Sequence, residues 1–317
     1  MRDKNLMIAI IGCFAITVLF LLVIIWEIKK SIDHDERVQQ IAKKTNDVEV
    51  ADNRDFSIYE TLVGEDGREM VLVPEGIFTR GSDSGGFDEK PMQEIYLDAF
   101  YVDKFEVSVE AYNKYRKLAN YVEPSVPFFQ GDSAVMKIPS HAVVGVSWHD
   151  SVNYCTWAGK RLLTEAEWEK ASRGGLTDLL YPNGMELDPS FALYDQGRSS
   201  DRILQPVGIL EPNAYGLYDT IGNAWEMCFD WFWKNWYDQP EASLKDTTGP
   251  SLLNFGDVIE NNLVRVVRGG SGNADTHQCT VAYRQDFNKT WYQYSIGLRP
   301  VVPSPDESTQ SLQLKAF

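Results

Sequence analysis

The rhythm of hydrophobic and polar positions changes several times along the chain, and each change marks a different kind of segment. Leu6 to Trp26 reads "LMIAIIGCFAITVLFLLVIIW", apolar and uncharged throughout. A helix of that length, rising ~1.5 Å per residue, spans the roughly 30 Å hydrocarbon core of a bilayer. Residues 1–5 form a short polar start, and residues 27–56 are charged, nearly free of aromatics and only weakly periodic, as in a partly helical stalk. From about Ser57 the pattern becomes alternating: "MVLVPEGIFTRGSD" and "IYLDAFYVDKFEVS" place apolar side chains at every second position, which predicts half-buried strands.

Two helices follow with start signals of their own. Ser147 stands three residues before Asp150 at the head of "WHDSVNYCTWAGKR", with Val152, Cys155 and Ala158 on one face and Gly159 at the end. In "TEAEWEKASRGG", Thr164 and Glu167 have the same reciprocal capping spacing, Trp168 and Ala171 form the predicted inner stripe, and Gly174-Gly175 closes the helix. From Gly175 to about Asn223 the chain is rich in Gly, Pro, Asn and Asp and predicts ordered loops. "VRVVRGGS" and "SIGLRPVV" then read as core strands. The expectation is a single α+β domain over residues 57–303, preceded by one transmembrane helix and followed by a loose tail at 304–317.

Charge and cysteine usage narrow the function. The net charge of −16 excludes a nucleic-acid binder, because a phosphate backbone selects basic faces, and it disfavours docking on an anionic lipid surface. Cys13 lies in the apolar run, where "IIGC" loosely resembles a lipobox, but the run continues well beyond it, so a retained single-pass anchor is expected. Cys155, Cys228 and Cys279 remain in the soluble part, an odd number with no disulfide spacing. Arg2 and Lys4 precede the span while Lys29, Lys30 and Arg37 follow it, which leaves the orientation open.

Candidate chemistry is sparse. His34, His141, His149 and His277 show no metal-binding spacing, and no phosphate loop or nucleophile elbow is present. His277 and Cys279 stand two apart, so on a strand both would face one side as a base and thiol. "CFDWFWKNWYDQP" carries more aromatics than one core face requires, and Trp231, Trp233, Trp236 and Tyr237 are candidates for a protein- or carbohydrate-binding surface.

"MVLVPEGIF", "FYVDKFEVSVEAYNKY", "VVGVSWHDSVNYCTWAGKRLLTEAEWEKASRGG", "NAYGLYDTIGNAWEMCFDW", "RVVRGGS" and "IGLRPVV" together resemble, in order, the signatures of the formylglycine-generating enzyme (sulfatase-modifying factor) domain family. The resemblance implies an α+β fold related to the C-type lectin fold and poor in regular structure. That scaffold carries oxidases, binders and silent structural proteins alike, so activity is a separate matter. The family's oxidases hold copper(I) with two cysteines, three and eight residues after the serine of "GGS"; here those positions are Ala274 and Cys279. One thiolate is a poor copper(I) site, so copper is not expected. Ser271 and Trp225 match residues lining the family's pocket, while Gly272 and Met227 replace an aromatic and a tryptophan.

The family's calcium loop maps onto Asp219, Gly222, Ala224 and Glu226, which offer two carboxylates and two carbonyls to a hard cation. Capping of the turn by those carboxylates is the competing role. The resulting expectation is a membrane-anchored structural or binding subunit of a protein assembly. Its N-terminus is expected in the cytoplasm and its domain outside, in keeping with the family's exported habit. A divergent oxygen-dependent oxidase using Cys279 is the alternative.

Overall fold

Alternation does produce strands at the start of the domain: β1 (Thr61–Val63), β2 (Glu69–Val73), β3 (Gly76–Arg80), β4 (Gln93–Leu97) and β5 (Phe100–Asp103). In this computed structural model residues 60–200, 202–251, 256 and 263–303 are described. The expected span at 6–26, the stalk at 27–56 and the tail at 304–317 lie outside the described residues.

Helix α1 (Val109–Ala119) directly follows the stretch read as strands. Ser108 starts it by accepting the Ala111 N–H at 3.2 Å, Val109, Tyr112 and Tyr115 bury one face, and Asn120 ends it in the left-handed region. Helices α2 (Trp148–Trp157) and α3 (Glu165–Arg173) carry the predicted capping boxes, Ser147 with Asp150 and Thr164 with Glu167. Gly174, at φ +62°, closes α3.

The two-residue inner stripe expected for α3 is too narrow, because all nine of its residues are buried. Its charges tolerate this by pairing. Glu165 takes Arg284 at 2.6 Å, Glu169 takes Arg268 and Arg173 at 2.6 Å each, and the Lys170 ammonium donates to the Gly76 carbonyl at 3.0 Å. Buried ions persist where partners and hydrogen bonds replace water.

Strand β6 (Arg161–Leu162) joins α2 to α3, and β7 (Trp225–Trp231), β8 (Val264–Arg268), β9 (Gln285–Asn288), β10 (Ile296–Gly297) and β11 (Pro300–Pro303) complete the domain. Between α3 and β7 no helix or strand occurs among the described residues, as the Gly- and Pro-rich composition predicts. Three sheets result: β1-β2-β5-β11-β6, β10-β7-β8-β9, and the hairpin pair β3-β4. All pairings are antiparallel except β10 with β7. The main core lies among both larger sheets and the helices, with Val102, Tyr154, Trp168, Val267 and Val301 among its buried members.

Candidate functional site

The strand β8 leads through "RGGS" into the packed interior. Ser271 is buried, its hydroxyl 3.1 Å from the Asn273 side-chain oxygen, and Trp225 at the head of β7 packs its ring 5.9 Å from that of Tyr283. Cys279 is 0% exposed and Ala274 is 3% exposed, both within the main core. Burial pushes the Cys279 thiol up to about 12, with the Asp275 carboxylate adding to the shift and the Ser271 backbone N–H opposing it. At neutral pH the sulfur is therefore a protonated, apolar group.

Gly272 explains why the aromatic is missing. Its N–H donates to the Asn223 carbonyl at 3.0 Å and its carbonyl accepts from Gln196 at 2.8 Å. A Cβ at this position would fall inside the van der Waals shell of the Ile203 carbonyl oxygen. The loop through Ile203 thus occupies the place of a side chain. The residues do not fit a copper(I) centre: Ala274 supplies no donor, and the one sulfur is sealed and protonated.

The His277–Cys279 pairing is a correction. These residues form a 3-10 turn rather than a strand, so His277 is exposed, against Tyr283, while Cys279 points inward. The imidazole is not placed to take the thiol's proton.

The loop expected from the family resemblance to take calcium is buried, with its two carboxylates close together. Asp219 and Gly222 take positive φ, +53° and +77°, and any side chain at 222 would strike the Leu193 backbone. The Asp219 carboxylate accepts the Gly208 N–H at 2.6 Å, and Glu226 accepts Arg299 at 2.6 Å and Trp168 Nε1 at 2.8 Å. Glu106, absent from the sequence-based set, joins them by accepting the Asn223 amide and, at 3.1 Å, the Ala224 N–H. Nothing in the local sequence announced it, because its partners Asn223 and Ala224 lie more than a hundred residues away.

Three carboxylates thus face one guanidinium. Burial, then the Asp219 and Glu226 charges, push Glu106 well above the usual carboxylate range. Burial and the Glu226 charge push Asp219 up to about 6. Asp219 and Glu226 with the Gly222 and Ala224 carbonyls are the donors a hard cation would use, but among the described residues no group of three or more acidic, histidine or cysteine side chains is arranged to hold a metal, and both Glu226 oxygens are bonded to Arg299. A small cleft of about 10 Å³, lined by Leu187, Phe191, Glu211 and Asp219 among others, lies beside this loop; Ser271, Trp225 and Cys279 do not line it.

The aromatic surface is smaller than expected. Trp236 and Tyr237 are 2% and 1% exposed and form a small core of their own with Ala242. Arg80 stacks 3.9 Å from the centroid of the Tyr237 ring, which accounts for an aromatic that the local pattern left outside. Trp231 and Trp233 are half-buried, Trp233 against that small core and Trp231 beneath Arg265 and Lys289.

Comparison with known proteins places this geometry. The formylglycine-generating enzyme of Thermomonospora curvata is 32% identical over 271 residues, covering 68% of this chain and 86% of that protein. A Bos taurus protein described as inactive C-alpha-formylglycine-generating enzyme 2 is 28% identical over 265 residues, covering 68% of this chain and 86% of its own length. The solved structure of PvdO from Pseudomonas aeruginosa matches the fold with a TM-score of 0.63 at 23% identity, covering 77% of this chain and 98% of that one. The sulfatase-modifying factor enzyme 1-like domain matches residues 57–303. Those residues carry the sealed "GGS" strand and the acidic loop, and the chain belongs to the formylglycine-generating-enzyme (sulfatase-modifying factor) domain family.

Proposed function

We propose that this chain is a single-pass membrane protein that holds its sulfatase-modifying-factor domain outside the cytoplasm. There it acts as a non-catalytic structural or binding subunit of a membrane-associated assembly. The observation that carries the reading is the pair of positions 274 and 279: an alanine where the family's oxidases have a thiol, and a fully buried, protonated cysteine. The relative described as inactive is a precedent for such a member. The uncharged run at 6–26 motivates the anchor.

The test is metal analysis and oxidation of a cysteine-containing sulfatase peptide with the full chain in mild detergent, alongside cysteine labelling in intact cells to locate the domain. The expected outcome is no stoichiometric copper, no peptide oxidation, and labelling of an introduced surface cysteine from outside. Copper bound one to one and lost in Cys279→Ala would sink the non-catalytic reading in favour of a divergent oxidase. Labelling only after permeabilisation would sink the topology.

Calcium bound by Asp219, Gly222, Ala224 and Glu226 is part of the same proposal, as a structural ion that neutralises the acidic cluster. Chelation is expected to lower the melting temperature of the native chain by several degrees and that of Asp219→Asn by much less, because ligand-linked stability disappears with the site. Equal shifts in both proteins would remove calcium from the reading.

A further inference from the structure

Strand β9 lies at the end of its sheet, with β8 as its one neighbour among the described residues. Its side chains alternate: Phe287 is 6% exposed and packs in the main core, while Asp286 is exposed and Asn288, two residues on, shares its outward face. The strand ends there in a tight turn, the Asn288 carbonyl accepting the Trp291 N–H at 3.0 Å. That turn begins with Asn288-Lys289-Thr290, the spacing of an asparagine acceptor for a sugar and the only such triplet in the chain.

A triplet of this kind arises easily by chance, and its geometry is what gives it meaning. The Asn288 side-chain oxygen accepts two bonds from Thr290, the hydroxyl at 2.8 Å and the backbone N–H at 3.0 Å. The side-chain nitrogen donates to no acceptor among the described residues and is not one of their buried unpartnered atoms, so it faces water. An amide nitrogen is a weak nucleophile because its lone pair is shared with the carbonyl. As it attacks and sheds a proton, negative charge grows on the oxygen, where two donors are already aimed. The oxygen is engaged and the nitrogen is open.

The surroundings suit a sugar. Trp291 is 63% exposed and Tyr292 46% exposed directly after the triplet, although both are large rings that folding ordinarily covers. The apolar face of a pyranose packs on such a ring. Asp286 adds a carboxylate on the same strand face, a handle for a cation of the enzyme that delivers the sugar.

We propose that Asn288 is a modification site that carries an N-linked glycan. The proposal rests on the reading that the domain stands outside the cytoplasm, where a lipid carrier presents its oligosaccharide. The co-substrate is, by class, a polyprenyl-diphosphate-linked oligosaccharide, and a transferase makes the exchange. Asn288 Nδ2 bonds to the anomeric carbon, the bond from that carbon to the diphosphate oxygen breaks, the lipid diphosphate leaves with the electron pair, and one amide proton passes to a base of the transferase. Nothing is oxidised or reduced. The attached glycan, bulky and polar, covers Trp291, Tyr292 and the open edge of β9, which is otherwise a template for pairing with another strand.

The test is intact-protein and peptide mass spectrometry of the full chain, purified in mild detergent from the membranes of its own cells. The expected result is a mass above that of the sequence, carried by the peptide that contains Asn288. Asn288→Gln and Thr290→Val should abolish the added mass and keep the melting temperature within about 2 °C, because positions outside the core contribute little. Thr290→Ser, which keeps the hydroxyl, should retain the added mass. An unmodified Asn288, an added mass that persists in Asn288→Gln, or a loss in Thr290→Ser as complete as in Thr290→Val would each overturn the site. Cysteine labelling of the same cells separates the two failures: an unmodified Asn288 with the domain labelled from outside leaves the topology standing, whereas labelling only after permeabilisation sinks both.

Discussion

Gly272→Tyr, which restores the family's aromatic after the serine, is expected to destabilise the domain by more than about 3 kcal/mol rather than reopen a catalytic pocket. Inserting bulk into a packed site costs ~1–3 kcal/mol when side chains can adjust. At position 272 the obstruction is the Ile203 backbone, and the glycine is held by hydrogen bonds to Asn223 and Gln196. Gly272→Ala should show a smaller loss of the same sign, and denaturant midpoints would rank the two. A tyrosine variant with the wild-type midpoint would mean that the covering loop yields and that the pocket is closed only reversibly.

Arg299→Met is the second substitution with a large expected effect. The guanidinium bonds Glu226 at 2.6 Å and the carbonyls of Asp103 and Tyr218 at 3.1 and 2.7 Å. Its removal leaves three acidic groups in one buried cluster with no cation among them. Breaking a buried pair from one side costs roughly 3–5 kcal/mol, which for a domain of this size lowers the melting temperature by about 10 °C. Arg299→Met combined with Glu226→Gln should recover part of the loss, because the stranded charge is gone. If the single variant melts within a degree of the native chain, the cluster is solvated and the charge argument fails.

What could be read in the sequence was local. Ser147 with Asp150 and Thr164 with Glu167 carry their meaning within four residues, and both capping boxes formed. Ser108, Val109, Tyr112 and Tyr115 carry an equally local helix signal, masked by the alternating stretch that runs into it. Counting from Ser271 exposed the missing copper donor because ligand spacing on one loop is a property of sequence. Partners distant in the chain left no such trace. Glu165 and Glu169 are buried because Arg284 and Arg268 reach them from about a hundred residues away, and Glu106 meets Asn223 across a similar gap. Trp236 and Tyr237 likewise left the surface through tertiary packing.

The last two strands impose an order on synthesis. Ile296–Gly297 pairs with β7 in one sheet, and Pro300–Pro303, three residues on, lies between β5 and β6 in another. Arg299, between them, bonds groups on both sides. A chain emerging from its N-terminus therefore leaves β6 unpaired and the acidic cluster without its guanidinium until almost every residue of the domain has been made. Completion is a late, long-range event, of the kind that makes folding slow and partly built chains prone to aggregate. Any factor that shields the growing domain would have to remain on it until residue 303 is free.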